Sequence, residues 1–540
     1  MRAYSDEYDG IVVGGGHQGL VCAAYMAKAG FDTLVVEHDI KVGGGIETSD
    51  PTGRGFRFNF CGKGHYGITG TPWYDDLDLA SHGVEYLHPP NDWSLPSNDD
   101  PHLVLSKDDD TLVESISQFS EADAEQYLAL RETANALMDR FFLAQRFDEP
   151  IPADERRDLL ESTELGRTFL RWSETPLTEL LDEWFETEKV KFMLMQKLSV
   201  FGQLGAGVDT PAGAGNVVRL FESRYGYEIV RGGAGLLAQG LVEVIQQHGG
   251  SVRTASTVES IDVADGDVTG VTLTDGRRYG AREFVVSSLN PPLTFEDLVG
   301  YEHLTDEFVQ RVEDFEWERR GPAEIHFGLE EPPDYRGADE FPAVNEGLYQ
   351  LVGIESYDDM QQVQATVAAG EIAPDGFTGI SYSRHDPSVA PPGKHTASAV
   401  KPVPYELGGD PEGWEDEDAI ERVERMVLET WREYAPNMTE DNVIVTHTKL
   451  PSDREVSNPN MYMGRGLIGH HSQTQILDNH VGYRTPVEGL FTCSSACHPG
   501  GGISGAAGYI VAKVVHEELG REPWWEPMDA REAFASAGAE

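Results

Sequence analysis

The sequence predicts an α/β fold built on a Rossmann-type dinucleotide-binding domain, and three observations support this prediction. Near the N-terminus an apolar strand pattern leads into Gly14, Gly16 and Gly19, which have the G-x-G-x-x-G spacing, and then into a helix pattern. The next apolar run ends in Glu37, where such domains place an acid that binds a ribose hydroxyl. A second pattern of strand, glycine-rich turn and helix occupies residues 489–518.

Each glycine of the first motif has its own expected role. Gly14 allows a tight turn after the strand, and Gly16 lets the backbone approach a pyrophosphate. Gly19 lets the helix pack closely on the sheet. The helix N-terminus offers free N–H groups and a positive dipole end to phosphate groups, and His17 is expected to assist at this turn.

The two glycine-rich units at opposite ends of the chain predict one shared cofactor. An FAD molecule is long enough to contact both of them. The first unit would hold the pyrophosphate, and the second would direct its helix N-terminus, at residues 503–506, toward the flavin ring. A helix dipole in that position stabilises negative charge on a reduced flavin.

The acidic composition predicts a salt-adapted organism. The chain carries 93 Asp and Glu against 41 Lys and Arg, a formal net charge of −52. Such a charge repels itself in dilute buffer, whereas at molar salt the Debye length falls to roughly 3 Å and screens it. The 39% hydrophobic content argues against acidic disorder. Nucleic-acid binding is not expected, because no basic patch is present to meet phosphates.

Length and hydropathy predict a cytoplasmic protein of more than one domain. A chain of 540 residues is longer than chains that fold around a single hydrophobic core. It shows neither the apolar run of about 20 residues that a membrane helix needs nor an apolar N-terminal signal region. The four cysteines form neither a C-x-x-C pair nor a zinc-spaced set, so we expect no disulfide framework and no metal site.

Between the two glycine-rich units the chain divides into recognisable stretches. Residues 115–200 have a helical pattern, and the most apolar stretch, residues 192–206, is interpreted as core, with a substrate tunnel or a membrane-contacting face as the alternatives. A turn at Asp275-Gly276 between two apolar runs predicts a β-hairpin. Residues 521–540 are expected to form a surface extension that Trp524-Trp525 pin down.

The sequence resembles the phytoene dehydrogenase superfamily of FAD-dependent oxidoreductases over nearly its whole length. Three places carry the resemblance: Gly14–Gly19 with Glu37 and Gly43-Gly44; Gly232-Gly233 with the strands at Val252–Ile261 and Val285–Asn290; and the segment from His498 to Gly505. Within the superfamily it is most similar to the subgroup that holds the carotenoid ketolases. Gln18 replaces an Asn of that subgroup's first motif, and Gly45 stands where phytoene desaturases have Arg.

The resemblance implies a bilobal fold like that of flavin amine oxidases and phytoene desaturases. A discontinuous FAD-binding domain and an inserted α+β substrate domain with a helical part are expected, followed by a C-terminal tail. The implied ranges are 1–90, 226–300 and 450–520 for the FAD domain, 91–225 and 301–449 for the substrate domain, and 521–540 for the tail.

The resemblance also implies noncovalently bound FAD, with Glu37 on the adenosine ribose and the backbone of Val258 on the adenine. The residues expected to bind the cofactor are Gly14, Gly16, His17, Gln18, Gly19, Glu37, His38, Gly43, Gly44, Val258, Ser287, Gly501, Gly502, Ile503 and Ser504.

Two histidines are candidates for a catalytic role. Desaturases of the family, as the resemblance implies, transfer a hydride to flavin N5 while a neighbouring proton is lost. His498 and His65 lie in or near glycine-rich motifs, and the ordinary pKa of histidine suits proton transfer. Either residue could equally be a structural hydrogen-bonding group. Cys493 and Cys497 are interpreted as packed small residues and not as a covalent flavin link.

Three functions therefore remain open. The first is an FAD-dependent dehydrogenase or desaturase of a small apolar substrate, isoprenoid or carotenoid-like. The second is another flavin reaction on the same scaffold: carotenoid ketolation, isomerisation or amine oxidation. Amine oxidases place paired aromatic residues beside the flavin, and no such pair flanks residues 493–505, although Tyr509 is close. The third is a non-catalytic FAD-binding interaction protein. Contact with a membrane surface for substrate access, and a homo-oligomer, are further expectations.

The charge leads to a first prediction. Dilution below molar salt should release the flavin or unfold the chain, because the repulsion among the acidic residues is then no longer screened. Thermal unfolding and flavin retention, measured in concentrated and in dilute KCl, test this. Full activity and an unchanged melting temperature in dilute buffer would contradict salt adaptation.

Overall fold

The structure is a computed structural model, and it confirms the predicted α/β class. It describes residues 6–199, 211, 214–314, 320–410, 412–453, 458–460 and 482–536. Among these residues, no helix has the length and apolar character needed to cross a membrane.

The β-strands are β1 (Asp6–Val13), β2 (Thr33–Val36), β3 (Ile46–Ser49), β4 (Phe58–Cys61), β5 (His65–Tyr66), β6 (Tyr86–Leu87), β7 (Asn91–Leu95), β8 (Leu103–Ser106), β9 (Tyr227–Val230), β10 (Ser251–Arg253), β11 (Val258–Ala264), β12 (Asp267–Leu273), β13 (Arg278–Ser287), β14 (Arg320–Leu329), β15 (Gly347–Val352), β16 (Phe377–Ile380), β17 (His395–Pro404), β18 (Val443–Lys449) and β19 (Leu490–Thr492).

The α-helices are α1 (His17–Lys28), α2 (Pro72–Asp76), α3 (Asp109–Ser117), α4 (Glu121–Leu137), α5 (Leu143–Arg146), α6 (Ala153–Glu161), α7 (Glu164–Glu174), α8 (Leu177–Trp184), α9 (Glu188–Ser199), α10 (Ala214–Phe221), α11 (Gly235–Gln247), α12 (Asp306–Glu313), α13 (Tyr357–Ala368), α14 (Tyr382–His385), α15 (Glu417–Tyr434), α16 (Ala506–Glu518) and α17 (Ala530–Ser536).

The first large sheet is assembled from three distant parts of the chain. Its order is β10-β2-β1-β13-β12-β11, and β19 pairs with the end of β13. β10, β2, β1, β13 and β19 run parallel, whereas β11 and β12 are antiparallel additions. Alternation along β1 sends Val12 toward α1 and α16 and sends Ile11 and Val13 to the opposite face. The hairpin expected at Asp275-Gly276 joins β12 to β13 and is confirmed.

The second large sheet is mixed and has the order β18-β14-β17-β16-β15-β7-β8. Its strands come from residues 91–106 and 320–449. Along β14, Ile325 and Phe327 pack against the helix α15, which places Glu324 and His326 on the opposite face. The two sheets thus draw on separate stretches of chain, while the domain boundaries given above stay a prediction.

The helices from α3 to α10 surround the largest apolar cluster, as the helical pattern of residues 115–200 predicted. In the apolar stretch 192–206, Phe192, Met193 and Leu194 are buried within this cluster, which supports its interpretation as core. Residues 200–206 lie outside the described part of the chain. A π-helical turn at Met138–Phe142 joins α4 to α5.

Helices α1 and α16, from the two ends of the chain, are in close contact. A Cβ added to Gly508 would lie 2.1 Å from the carbonyl oxygen of Gln18, so only glycine fits there. The side chain of Gln18 also accepts a hydrogen bond from the Gly508 N–H at 3.0 Å. Gly508 is the third residue of α16, so Gln18 satisfies one of the N–H groups that a helix N-terminus leaves open.

The C-terminal tail is more deeply packed than the sequence suggests. Trp524 stacks on Tyr25 with ring centroids 5.4 Å apart, as expected of a residue that pins the tail. However, α17 places Phe534 in the core, where its ring contacts Phe141 at 5.0 Å. The expectation of a surface extension is therefore wrong for residues 530–536. The sequence signal for this packing was a single phenylalanine, Phe534, among alanines and charged residues.

The contact between α1 and α16 leads to a second prediction. We expect Gly508→Ala to lower the free energy of unfolding by about 1–3 kcal/mol, because the added methyl group must push α1 and α16 apart. Urea unfolding of the flavin-free protein measures the effect. Gly16→Ala is the matched control, because a Cβ at Gly16 meets nothing within 4 Å. Equal midpoints for both variants would contradict the prediction.

Candidate functional site

The first glycine motif forms a tight turn between β1 and α1. Gly14 has a φ of +96°, which L-residues rarely adopt, and its N–H donates to the Val36 carbonyl at 2.8 Å. A Cβ at Gly19 would lie 2.3 Å from the Gly14 carbonyl oxygen, so Gly19 permits the close approach of the helix. Gly16 is the N-cap residue just before α1, and it faces open space. All three glycines thus have the geometry that the motif predicts.

The carboxylate of Glu37 lies beside this turn. Its Oε2 accepts from the Gly15 N–H at 2.7 Å, and its Oε1 accepts from the Asp39 N–H at 2.8 Å. His38 Nδ1 lies 2.7 Å from the same Oε1, and this hydrogen bond raises the pKa of His38. Because a carboxylate has about four lone-pair sites, Glu37 can still accept from ribose hydroxyls.

The second glycine motif reaches the same place from the C-terminal end of the chain. β19 lies next to β13, and His17 Nε2 lies 3.1 Å from the Gly502 carbonyl oxygen, so it is the donor to that oxygen. Burial lowers the pKa of His17 to about 4, so the ring is neutral at neutral pH. Trp73 Nε1 donates to the Ser504 carbonyl at 2.7 Å and anchors the motif from the other side.

A cavity of about 510 Å³ runs along both motifs. Of the residues predicted to bind the cofactor, those that line it are Gly14, Gly16, His17, Gln18, Glu37, His38, Gly44, Val258, Gly501, Gly502 and Ile503. Val258 begins β11, next to Ser256 and Thr257, which also line the cavity.

Four of the predicted residues do not line the cavity. Gly19 and Gly43 act through the backbone, and the Gly43 N–H donates to the Gly15 carbonyl at 2.8 Å. Ser287 is fully buried, with its hydroxyl 2.8 Å from Thr294 Oγ1. Ser504 is also fully buried, and its hydroxyl accepts from the Ala506 N–H at 3.3 Å. The structure therefore assigns Ser287 and Ser504 to internal hydrogen bonds, and Ser288 lines the cavity in place of Ser287.

Neither candidate histidine reaches the cavity. His498 Nε2 lies 2.6 Å from the Gln145 carbonyl oxygen, and His65 Nδ1 lies 2.7 Å from the Tyr86 hydroxyl. Both rings are 1% exposed, and burial lowers the pKa of His498 to about 4 and that of His65 to about 3. The structure thus supports the structural alternative for both residues, because proton transfer requires contact with the reacting molecule.

An ion pair lies in the cavity wall beyond the glycine motifs. Lys63 Nζ donates to Glu324 Oε2 at 2.8 Å and to the Asn59 carbonyl at 2.7 Å. Both side chains are at most 4% exposed. His326 Nε2 lies 3.4 Å from the same Glu324 oxygen, and burial lowers the pKa of His326 to about 3. The pair therefore consists of one cation and one anion, with a neutral histidine behind them.

The rest of this end of the cavity is aromatic and aliphatic. Tyr227 contacts Tyr349 and Tyr66 edge-on, with ring centroids 5.0 and 5.7 Å apart. Pro322 and Val400 also line this end, as do Arg146 and Arg219. The lining residues Leu289, Leu293 and Leu298 lie instead beside the first glycine motif and β11, at the other end of the cavity.

Sequence reasoning missed the residues at this end of the cavity. Glu324 carries a recognisable signal, since an acid within an apolar strand must have a partner when buried. Lys63 stands between two glycines in the segment 62–64, where a close backbone approach could have been inferred. Arg146 and Arg219 carry no such signal, because arginines on helices usually face solvent.

The fold and the cavity define a class of protein: one with a Rossmann-type sheet whose two glycine motifs line a cavity suited to a dinucleotide. The residues fit FAD on structural grounds. Gly16 leaves room for the pyrophosphate, Glu37 offers a carboxylate to the ribose, and the cavity continues past Gly502 into the aromatic end. Glu37, Gly16 and Val258 would hold the adenosine diphosphate part.

Comparison with protein families then gives the assignment. Residues 19–515 match the model of the family described as flavin containing amine oxidoreductase. The chain belongs to this family, so it is an FAD-dependent oxidoreductase with the fold of the flavin amine oxidases, as predicted.

Individual relatives cover almost the whole chain. It is 28% identical to one of the subunits of limonene dehydrogenase from Castellaniella defragrans, over 96% of each chain. It is 28% identical to pyridine nucleotide-disulfide oxidoreductase domain-containing protein 2 of Rattus norvegicus, over 95% of this chain and 94% of that one. A lycopene-forming phytoene desaturase from Pseudescherichia vulneris is 23% identical over 94% of this chain and 99% of its own, which supports the superfamily resemblance.

The fold itself is shared with a solved structure of putrescine oxidase bound to putrescine. The TM-score is 0.58 at 15% sequence identity, covering 95% of this chain and 99% of that chain. At this identity the likeness concerns the fold alone.

The position of Glu37 leads to a third prediction. Glu37→Gln should weaken FAD binding by about 2 kcal/mol, roughly thirty-fold, because hydrogen bonds to a charged acceptor are lost. Titration of the flavin-free protein with FAD measures the dissociation constant. The control is Glu85→Gln, which removes a carboxylate of similar size from an exposed ion pair with Arg231. An unchanged dissociation constant for Glu37→Gln would refute the ribose assignment.

Proposed function

We propose that this chain is an FAD-dependent dehydrogenase or desaturase whose substrate is mainly hydrocarbon, of the isoprenoid or carotenoid class. The observation that carries the proposal is the wall of the cavity beyond the glycine motifs, which is built from aliphatic and aromatic side chains. Such walls recognise hydrocarbon by burying it, and the charged groups set among them can fix its orientation. Limonene and phytoene, which two of the relatives are named for, are both hydrocarbons.

The charges in the cavity argue against a protonated amine as the substrate. Lys63, Arg146 and Arg219 all line this end, and the carboxylate of Glu324 is already in contact with Lys63. A buried ammonium group needs an anionic partner, whereas Lys63, Arg146 and Arg219 would repel it. Tyr509, the aromatic residue closest to the second motif in sequence, packs against Tyr25 at 5.4 Å and does not line the cavity.

When bound, FAD supplies an acceptor for two electrons and one of the two hydrogens removed from the hydrocarbon. The other hydrogen leaves as a proton. We assign Glu324 as the group that takes this proton on its carboxylate. Lys63 Nζ, 2.8 Å from Oε2, keeps the carboxylate ionised before the reaction. A carboxylate suffices as this acceptor, because a proton next to an electron-deficient carbon is strongly acidic.

A visible absorbance spectrum tests the proposed function. The protein, purified with its flavin in concentrated KCl, is mixed anaerobically with limonene, phytoene or putrescine. We expect the yellow flavin band to bleach with one or both hydrocarbons and to persist with putrescine. Bleaching by putrescine alone would identify an amine oxidase. A band that no compound bleaches would favour the ketolase, isomerase or non-catalytic alternatives.

The ion pair leads to a fourth prediction. Glu324→Gln should slow flavin reduction by roughly 10²–10⁴-fold, because the proton acceptor is lost. It should also destabilise the protein by about 3–5 kcal/mol, because Lys63 keeps its charge in a buried position.

The double variant Lys63→Met/Glu324→Leu separates the two effects. It removes both charges, so it should regain most of the stability while it still reduces the flavin slowly. Stopped-flow reduction and thermal unfolding, measured on the wild type and both variants, provide the comparison. A double variant with wild-type reduction rates would show that Glu324 has no part in proton transfer.

A further inference from the structure

We propose that Arg146 and Arg219 form a binding site for an oxyanion, so that the substrate is a hydrocarbon with one anionic head group. This inference rests on the proposed function and narrows its substrate class from a pure hydrocarbon to an amphipathic acid. The head group is a carboxylate or a phosphate ester, the anions that guanidinium groups bind in pairs of hydrogen bonds.

Arg219 lies on α10 and is half-buried in the cavity wall. Its guanidinium is 4.2 Å from the ring centroid of Tyr66, and its Nε has no hydrogen-bond partner in the described structure. The group that stabilises its charge most directly is the hydroxyl of Tyr227. No carboxylate in the described ranges pairs with Arg219, although it lines the cavity. A guanidinium withdrawn in part from water, with a buried Nε that has no partner and with no counter-ion, is unfavourable, so an anion is expected to complete its surroundings.

Arg146 ends α5 and lines the same part of the cavity. Its contacts are with aromatic rings, those of Phe142 and Phe147, each 5.8 Å from the guanidinium carbon. Here too, no acidic side chain in the described ranges pairs with it. Burial lowers the pKa of Arg146 to about 9, and the charge of Arg219 contributes to this shift. Arg146 is therefore still a cation at neutral pH, and its charge repels that of Arg219.

Two mutually repelling, desolvated cations are a costly arrangement in a chain with more than twice as many acidic as basic residues. A bound oxyanion offsets both the desolvation of the two guanidinium groups and the repulsion between them, because it is negatively charged and offers hydrogen-bond acceptors to each group. The first glycine motif, which fits the phosphates of FAD, makes no described contact with either arginine. Arg146 lies near the second motif, because the carbonyl of its neighbour Gln145 holds His498. The arginines stand among Tyr66, Tyr227 and Phe142, residues of the helical core cluster.

Arg156 provides a matched control. It is also an arginine in the helical region, but its Nε donates to Gln145 Oε1 at 2.9 Å and it does not line the cavity. Its guanidinium contacts the Phe169 ring at 5.6 Å, so it resembles Arg146 in having an aromatic neighbour.

The test is calorimetric titration of the flavin-loaded protein, at one fixed KCl concentration, with octanoate, octyl phosphate and 1-octanol. These compounds share one alkyl chain and differ in the head group. We expect one or both anions to bind at least roughly ten-fold more tightly than octanol, and the ratio of the two anions identifies the head group. Arg219→Gln and Arg146→Gln should each abolish this preference and leave octanol binding unchanged, whereas Arg156→Gln should retain it.

Octanol bound as tightly as both anions, or no binding of any compound, would overturn the proposal. Loss of the preference in Arg156→Gln would do the same, because it would show a general effect of net charge. If one of the two cavity variants does not fold, the other decides. Calorimetry requires no flavin reduction, so its outcome is independent of the bleaching experiment, and failure of either proposal can be recognised separately.

Discussion

The close contact between α1 and α16 is the constraint on which the rest of this structure depends. It brings two glycine motifs, some 490 residues apart in the chain, into one continuous cavity wall. Gln18 is central to it, because its amide contacts both Gly508 and Ser504. If the helices were farther apart by the width of a methyl group, His17 could no longer reach the Gly502 carbonyl.

The charge distribution divides the molecule into an acidic exterior and a cavity with cations at one end. Ion pairs on the exterior, such as that between Arg157 and Glu161, are solvated and contribute little to stability. Inside, Lys63, Arg146 and Arg219 are shielded from water, so each charge there acts strongly on its neighbours. An acidic ligand would therefore be repelled at a distance and attracted once inside, and added salt would weaken the first effect much more than the second.

The features that the sequence predicted well are local ones. The glycine turn, the acid after β2 and the hairpin at Asp275-Gly276 depend on backbone geometry that a few neighbouring residues determine. Side-chain direction is different. Ser287 ends β13 and Ser288 follows it, so an assignment shifted by one residue exchanges a buried hydroxyl for one in the cavity wall.

The two candidate histidines show a second limit. His498 lies within the most recognisable motif of the chain, yet its ring is held by the carbonyl of Gln145, 353 residues away. The Lys63–Glu324 and Arg146–Arg219 groupings likewise join residues that no local pattern connects, because α5, α10 and β14 meet only in the folded molecule.

The contribution of β19 to the first sheet has a consequence for how the protein is made. β1, β2 and α1 leave the ribosome several hundred residues before β19 and α16, so β13 lacks its neighbour β19, and α1 lacks α16, while the intervening chain is made. Until then, the apolar faces of α1 and β13 have no cover from α16 and β19. The cofactor site is thus completed only once α16 has been synthesised, so the newly made chain must be kept from aggregating through that interval before it can acquire its flavin.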